Sequence, residues 1–243
     1  DTEGLWPVYG GGAFNLWQPD RGPGHYYAWV DPKHVTKVLY DKRLNQHGNR
    51  RSAFFAAPDE WIEDRTTLPC LHPRIAFRDV ARATDSRTII ASLVPPKVVL
   101  NHKAPYLLQL SGDPSDAVFL IAVMSSIPFD WAARRVVETT VSLDILNGLP
   151  VPARDKCFME IVTVATSLVN IDGIFSSVGS TSEIKHLDED RRRYLIQRLD
   201  ALVAHAYGLD EDELIHIFET FHRGRDYQPR LEAVLQHFSR IEV

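Results

Sequence analysis

Cysteine and methionine are scarce: the 243 residues contain two of each. Cys70 and Cys157 cannot build a disulfide framework, which favours a reducing cytoplasm over a secreted, cross-linked setting. Long hydrophobic runs are also missing. The longest, Ala117 to Met124, has eight residues, where a membrane-spanning helix needs about 20, so no membrane partner is expected. No basic segment followed by an apolar core opens the chain, which argues against a secretory signal. The first residue is Asp1, not Met, and the chain is expected to be a piece of something longer.

Catalytic signatures are equally sparse. Gly10–Gly11–Gly12 is not a dinucleotide fingerprint, since no strand–GxGxxG–helix unit surrounds it, and no Gly-Lys-Ser/Thr follows to make a P-loop. Such a run permits positive φ and close backbone approach. Its plain reading is a hairpin turn. The ten histidines show no pair at metal-ligand spacing with a third ligand. Asp59–Glu60 lacks the nearby lysine of a metal-dependent nuclease. Cys70 near His72 has no evident orienting partner and reads as a buried thiol. No catalytic site is evident.

What is present is a chain large enough for one sizeable or two small domains, with an uneven charge. The net charge is −5, yet Lys33 to Lys103 carries thirteen Lys and Arg against seven Asp and Glu. From Ser111 to Val243 the balance reverses, thirteen against twenty-one. Such asymmetry fits a basic nucleic-acid face on one part and an acidic, solvated or partner-facing surface on the other.

The stretch Arg74 to Leu110 organises the rest. Ile75 to Phe77, Ile89 to Val94 and Lys97 to Leu100 read as strands, with Pro95–Pro96 as a stop. Arg78, Arg82 and Arg87 alternate with Asp79, Thr84, Asp85 and Thr88. Alternate residues of a strand face opposite sides, so a sheet here could bury one face and present arginines and hydroxyls on the other, residues suited to phosphates and base edges. The competing reading is a solvated edge on which the arginines pair with Asp79 and Asp85.

Elsewhere, Tyr26 to Val30 suggests a strand, and Val35, Val38 and Leu39 suit a short amphipathic helix. The cluster Arg43 to Arg51 makes a basic loop suited to phosphates, with Arg43, Arg50 and Arg51 as contacts. Ser115 is an expected N-cap for a buried helix over Asp116 to Ser125. Pro128 sits in the first turn of the next helix, behind Ser126. That helix ends in Arg134–Arg135, which suit either a ligand or the helix dipole. Gly173 to Ser182 reads as a loop. Asp188 to Tyr207 is an expected helix that Gly208 stops, and Asp210 to Phe221 another.

The runs FRDVARATDSRTIIASLVPP and VVLNHKAPYLL resemble the target-recognition region of adenine-N6 DNA methyltransferases, of the single-chain restriction–modification and phage-defence type. LWPVYGGGAFNLWQPD, MSSIPFDWAARRVVETTVSLDILNGLPVP and LDALVAHAYGLDEDELIHIFETF resemble further segments of that family, in the same order. For Gly10–Gly11–Gly12 in the first of these runs, the resemblance implies a tight turn whose own backbone lies near nucleic acid; this reading and the plain hairpin turn both stay open. The resemblance implies an α+β fold, with a β-rich recognition domain over 1–152 and a helical part over 153–243. It implies sequence-specific double-stranded DNA as partner, alongside a methyltransferase catalytic domain in the same parent chain or complex. Arg78, Arg82, Arg87 and Asn101 become candidates for base reading. Thr84, Thr88, Lys103, Arg134, Arg135 and Thr139 are further contacts. The family's S-adenosylmethionine loop and its Asn/Asp-Pro-Pro-aromatic tetrapeptide are missing, so no cofactor is expected in this chain; S-adenosylmethionine belongs to the catalytic domain, which would flip the target adenine. A protein–protein interaction module of a defence complex and a hydrolase with an unrecognised site are the alternatives. If Arg82 reads a base, Arg82→Ala weakens specific binding by roughly 1–3 kcal/mol. Titration of cognate duplex at matched salt checks this, and unchanged affinity removes Arg82 from the interface.

Overall fold

The computed structural model describes residues 2–81, 85–154, 156–169, 187–221 and 226–241. It has an α+β fold that divides into two compact units. The first comprises residues 1–79 and 91–112, the second 80–90 and 113–243. The contacts separate the chain near 112, with 80–90 assigned to the second unit.

Unit 1 holds the strands found among the described residues. β1 (Trp6–Tyr9) lies between antiparallel β2 (Ala28–Val30) and parallel β5 (Val99–Leu100). A second sheet pairs β3 (Arg74–Phe77) with antiparallel β4 (Ala91–Val94). On the other side of β3, the Phe77 and Leu107 amides donate across to Pro105 and Ile75. Both β3 and β4 are buried along their whole length, so this sheet has no arginine-bearing solvent face. The third expected strand leaves for the other sheet: after Pro95–Pro96, Lys97 takes φ +62 and donates its amide to the Cys70 carbonyl. A left-handed lysine costs backbone energy that this turn geometry must offset.

The core of unit 1 joins Tyr9, Ala13, Phe14, Ala76, Val94, Val98 and Ala104, with Tyr26 and Tyr106 at its margin. Stacking of Tyr26 on Tyr9 at 5.1 Å, and its hydroxyl's bond to Asp20, close one side. Burial and the neighbouring Asp20 raise the Tyr26 pKa to about 12. Helix α1 (Pro32–Gln46) follows β2; its N-cap Asp31 accepts the His34 amide, and proline fills the first turn. Its partner is the short α2 (Asp59–Glu63).

Unit 2 is a helical assembly. α3 (Pro114–Ser125) is capped by Asp113 in a reciprocal box with Asp116. Asp113 replaces the expected Ser115 because proline then occupies N1, where its missing N–H costs nothing. The Ser115 amide donating to Asp113 holds that carboxyl below its usual range. α4 (Ile127–Val136) starts at Ser126, whose hydroxyl accepts the Phe129 amide, with Pro128 in the first turn. α5 (Leu143–Gly148), α6 (Phe158–Val169), α7 (Glu189–Ala206), α8 (Glu211–Phe221) and α9 (Gln228–Phe238) complete the unit. Gly208, at φ +71, ends α7: its amide donates to His205, and that of Leu209 to Ala204, the crossed pattern of a Schellman cap. The expected loop over 173–182 lies outside the described residues. No single helix among the described residues is long and apolar enough to cross a membrane; α3 and α4 would be apolar enough as a pair but bend by 66°, and most of their apolar side chains are buried.

α9 packs on α7, and Ile127, Ala201, Ala204, Leu214, Phe218 and Val234 share one core. His237 on α9 is buried with its ring edge-on to Tyr194 of α7, 4.7 Å between centroids. Burial, then the charges of Arg198 and Arg240, lower its pKa. Its folded value thus lies below the unfolded value of about 6.5. The neutral-ring contribution is complete above that value and declines as pH falls toward the folded pKa. The thermal midpoint should therefore drop between about pH 7.5 and about pH 5.5, and His237→Phe should flatten that dependence. Scanning calorimetry at matched ionic strength reads this directly, and parallel curves for both proteins would exclude His237 as the source.

Candidate nucleic-acid interface

Packing removes several expected contacts. Arg87 is buried: its Nε meets the Asp130 carboxylate at 2.5 Å, and its Nη2 donates to the Ser125 and Ser126 carbonyls. Thr88 is buried beside it. Its amide donates to Asp130, and its hydroxyl accepts Arg134 Nε at 2.9 Å. Arg134 also donates to the Asp85 and Phe221 carbonyls, and its guanidinium lies 4.1 Å from the Phe221 ring centre. Neither the expected pairing of Arg87 with Asp85 nor its display to a base occurs. The reason lies in Ile-Pro-Phe-Asp-Trp: an aspartate within an apolar helix start needs an ionic partner, and Arg87 supplies it.

Arg43 is corrected in the same way. It is 1% exposed, donates to Thr67 Oγ1 and the Asp64 carbonyl, and lies 5.0 Å from the Trp61 ring centre and 5.4 Å from that of Tyr40. Burial lowers its pKa. Arg74 makes a second buried guanidinium, bonded to the Val98 carbonyl and set over Tyr106. Arg82 and Thr84 lie outside the described residues.

Three predicted residues do come together, around the triple glycine in unit 1. Asn101 Nδ2 lies 3.3 Å from where a Cβ on Gly10 would stand. At Gly11 the Lys103 carbonyl would lie 3.0 Å and the Arg78 Cγ 3.4 Å from such a carbon. None of the three glycines has positive φ, and at Gly10 and Gly11 the missing side chain serves close approach. Arg78 Nη2 donates to the Phe14 carbonyl at 2.7 Å. Lys103 is exposed and its Nζ lies 3.0 Å from Asp79. Arg21, which sequence reasoning passed over, donates to the Gly12 carbonyl at 3.0 Å. Gly12 is exposed, with nothing within 4 Å of its Cβ position. A glycine followed by a proline-glycine loop containing one arginine was the available signal.

The remaining candidates are separate. Arg50 and Arg51 are exposed in the turns after α1. Arg135 is exposed, its guanidinium 4.5 Å from the Trp131 ring centre. Thr139 is exposed, and its carbonyl accepts the Ala81 amide. Cys70 and Cys157 are both buried and form no disulfide; burial raises the Cys70 pKa, which suits an inert thiol. Among the described residues no group of three or more His, Cys, Asp or Glu could hold a metal.

Comparison with known proteins finds no matching family model, no matching curated protein and no matching solved structure.

Removing Asp130 leaves Arg87 buried and unpaired. Asp130→Ala should cost about 3–5 kcal/mol, and the double variant with Arg87→Met should recover part of that loss. Urea unfolding of the four proteins gives the coupling, and strictly additive losses would show that the pair does not act as a unit.

Proposed function

We propose that the chain is a DNA-recognition module, acting as the target-recognition part of a larger adenine-N6 DNA methyltransferase or restriction–modification protein in the cytoplasm. The observation supporting it is the convergence of Arg21, Arg78, Asn101 and Lys103 on the triple glycine. Two exposed cations, an amide and an accessible glycine backbone make a patch that accepts phosphate oxygens, because glycine lets the phosphate approach the main chain and the cations neutralise it. In this reading phosphate contacts set the register on the duplex. A catalytic domain outside this chain binds S-adenosylmethionine and takes the adenine from the stack. The interior arginines hold the framework, and Asn101 stays a candidate for an adenine edge.

A second reading, docking of a protein partner in a defence complex, is favoured by one observation. Among the described residues β2 pairs only with β1 in its sheet; Tyr27, 74% exposed, directly precedes β2, and Trp29, 36% exposed, lies within it. Exposed aromatics on a sheet edge suit strand addition.

Binding of the chain to duplex DNA over a salt series separates the two. The DNA reading requires log affinity to fall steeply with log salt, and Lys103→Ala to lower the slope by about one. A flat response, with tight binding to another protein of the parent complex, would replace it with the second reading.

A further inference from the structure

The turn structure after α1 is organised to present one aromatic ring and two guanidinium groups. The Ser52 amide donates to Asn49, Phe55 to Ser52 and Ala57 to Phe54, so consecutive turns run from 49 to 57. Side chains reinforce them. Asn49 Oδ1 accepts the Arg51 amide, and the Ser52 hydroxyl accepts that of Phe54. His47 anchors the base, with Nδ1 3.4 Å from the Phe54 carbonyl and Nε2 2.6 Å from Asp59.

The two phenylalanines are treated differently. Phe54 turns inward against Trp61, 6.2 Å between ring centres. Phe55 is 47% exposed. Arg50 and Arg51 are exposed on the same turns, and neither guanidinium has a partner among the described residues. From Lys42 to Pro58 the sequence contains no Asp or Glu. The flanking carboxylates of Asp41 and Asp59 are paired with Lys37 and His47. An exposed ring on a hydrogen-bonded turn that also carries two exposed guanidinium groups is therefore a local feature.

We propose that this turn binds a nucleic-acid strand at an unstacked base, with Phe55 stacking on the base and Arg50 and Arg51 on the adjoining phosphates. The inference rests on the DNA-recognition reading and adds a preference for duplex with an unpaired or extruded nucleotide. Charge complementarity selects a polyanion, and the ring selects one that also offers a flat π-face. An acidic peptide satisfies only the first requirement. Because the turn is preorganised by its own hydrogen bonds, little ordering cost opposes the contact.

The test uses the full chain and two fluorescent duplexes, one fully paired and one with a single unpaired 2-aminopurine. The expected result is tighter binding of the second, with quenching of the 2-aminopurine as it stacks. Phe55→Ala should reduce that preference by about tenfold and leave the salt slope unchanged, while Phe55→Trp should restore it. Arg50→Ala with Arg51→Ala should lower the salt slope on both duplexes. Salt-dependent binding with equal affinity for the two duplexes, or a preference unaffected by Phe55→Ala, overturns the stacking site and leaves the DNA reading standing. Absence of salt-dependent binding overturns both. Equal displacement by polyglutamate at matched charge would assign the turn to an acidic peptide instead.

Discussion

The Asp130 carboxylate is fully buried at the start of α4 and accepts hydrogen from three consecutive residues of another segment: the Arg87 guanidinium and the Thr88 and Ile89 amides. Burying a carboxylate costs several kcal/mol unless charge and hydrogen bonds compensate it, and here both do. Much of the organisation of unit 2 follows from that requirement. Residues 80–90 are assigned to this unit, and the Thr88 and Ile89 amides within them satisfy Asp130. One turn along the same helix, Arg134 grips Thr88 and the Asp85 carbonyl from the other side. A second buried carboxylate, Asp200 on α7, accepts the Ile127 amide at the start of α4 and pairs with Arg230 of α9. α4 is thus tied through two aspartates to an irregular segment and to two other helices.

The same economy explains where the arginines are. Arg43 and Arg74 are buried with no carboxylate in hydrogen-bond contact among the described residues, held by carbonyl oxygens, a threonine hydroxyl and aromatic rings. A planar guanidinium with five donors and two stacking faces tolerates such surroundings, where a compact, strongly hydrated lysine ammonium would not. Burial lowers both pKa values, yet an arginine keeps its charge in proteins. The positive excess of residues 33–103 therefore divides into interior groups that support the fold and surface groups free to meet a polyanion. Arg50 and Arg51 belong to the second set; Lys103 is exposed but paired with Asp79.

Local signals in the sequence located the elements whose causes are local. Pro128 behind Ser126, Gly208 after a periodic helix and the apolar run before Ser125 each act over four or five residues, and each marks a real boundary. The tertiary assignments were hidden. That Arg87 meets an aspartate 43 positions later leaves no trace in the surrounding sequence except the oddity of Asp130 among apolar neighbours. The departure of β5 to pair with β1 was equally invisible, since strand partners are chosen by matching buried faces across the chain. The candidate patch was half legible for the same reason. Asn101 and Lys103 looked like contacts because of their residue types, but the meeting of their turn with Gly10 and Gly11 is a long-range event.

The glycine run shows how one short motif serves two levels of structure. Gly10 and Gly11 give up their side-chain space to the chain's own 101–103 turn. That turn is fixed there by the Asn101 amide donating to Tyr9, and by Asn101 Oδ1 accepting the Lys103 amide. A side chain on Gly11 would press on the Lys103 carbonyl and shift the lysine that follows from it. Gly12 has open space instead. The first two glycines therefore set the position of the basic residues, while the third leaves the main chain accessible between them. A hairpin turn alone would need neither property at all three positions, and a phosphate-approaching backbone needs both. This pattern, more than the number of arginines, makes the patch the strongest candidate for contact with nucleic acid.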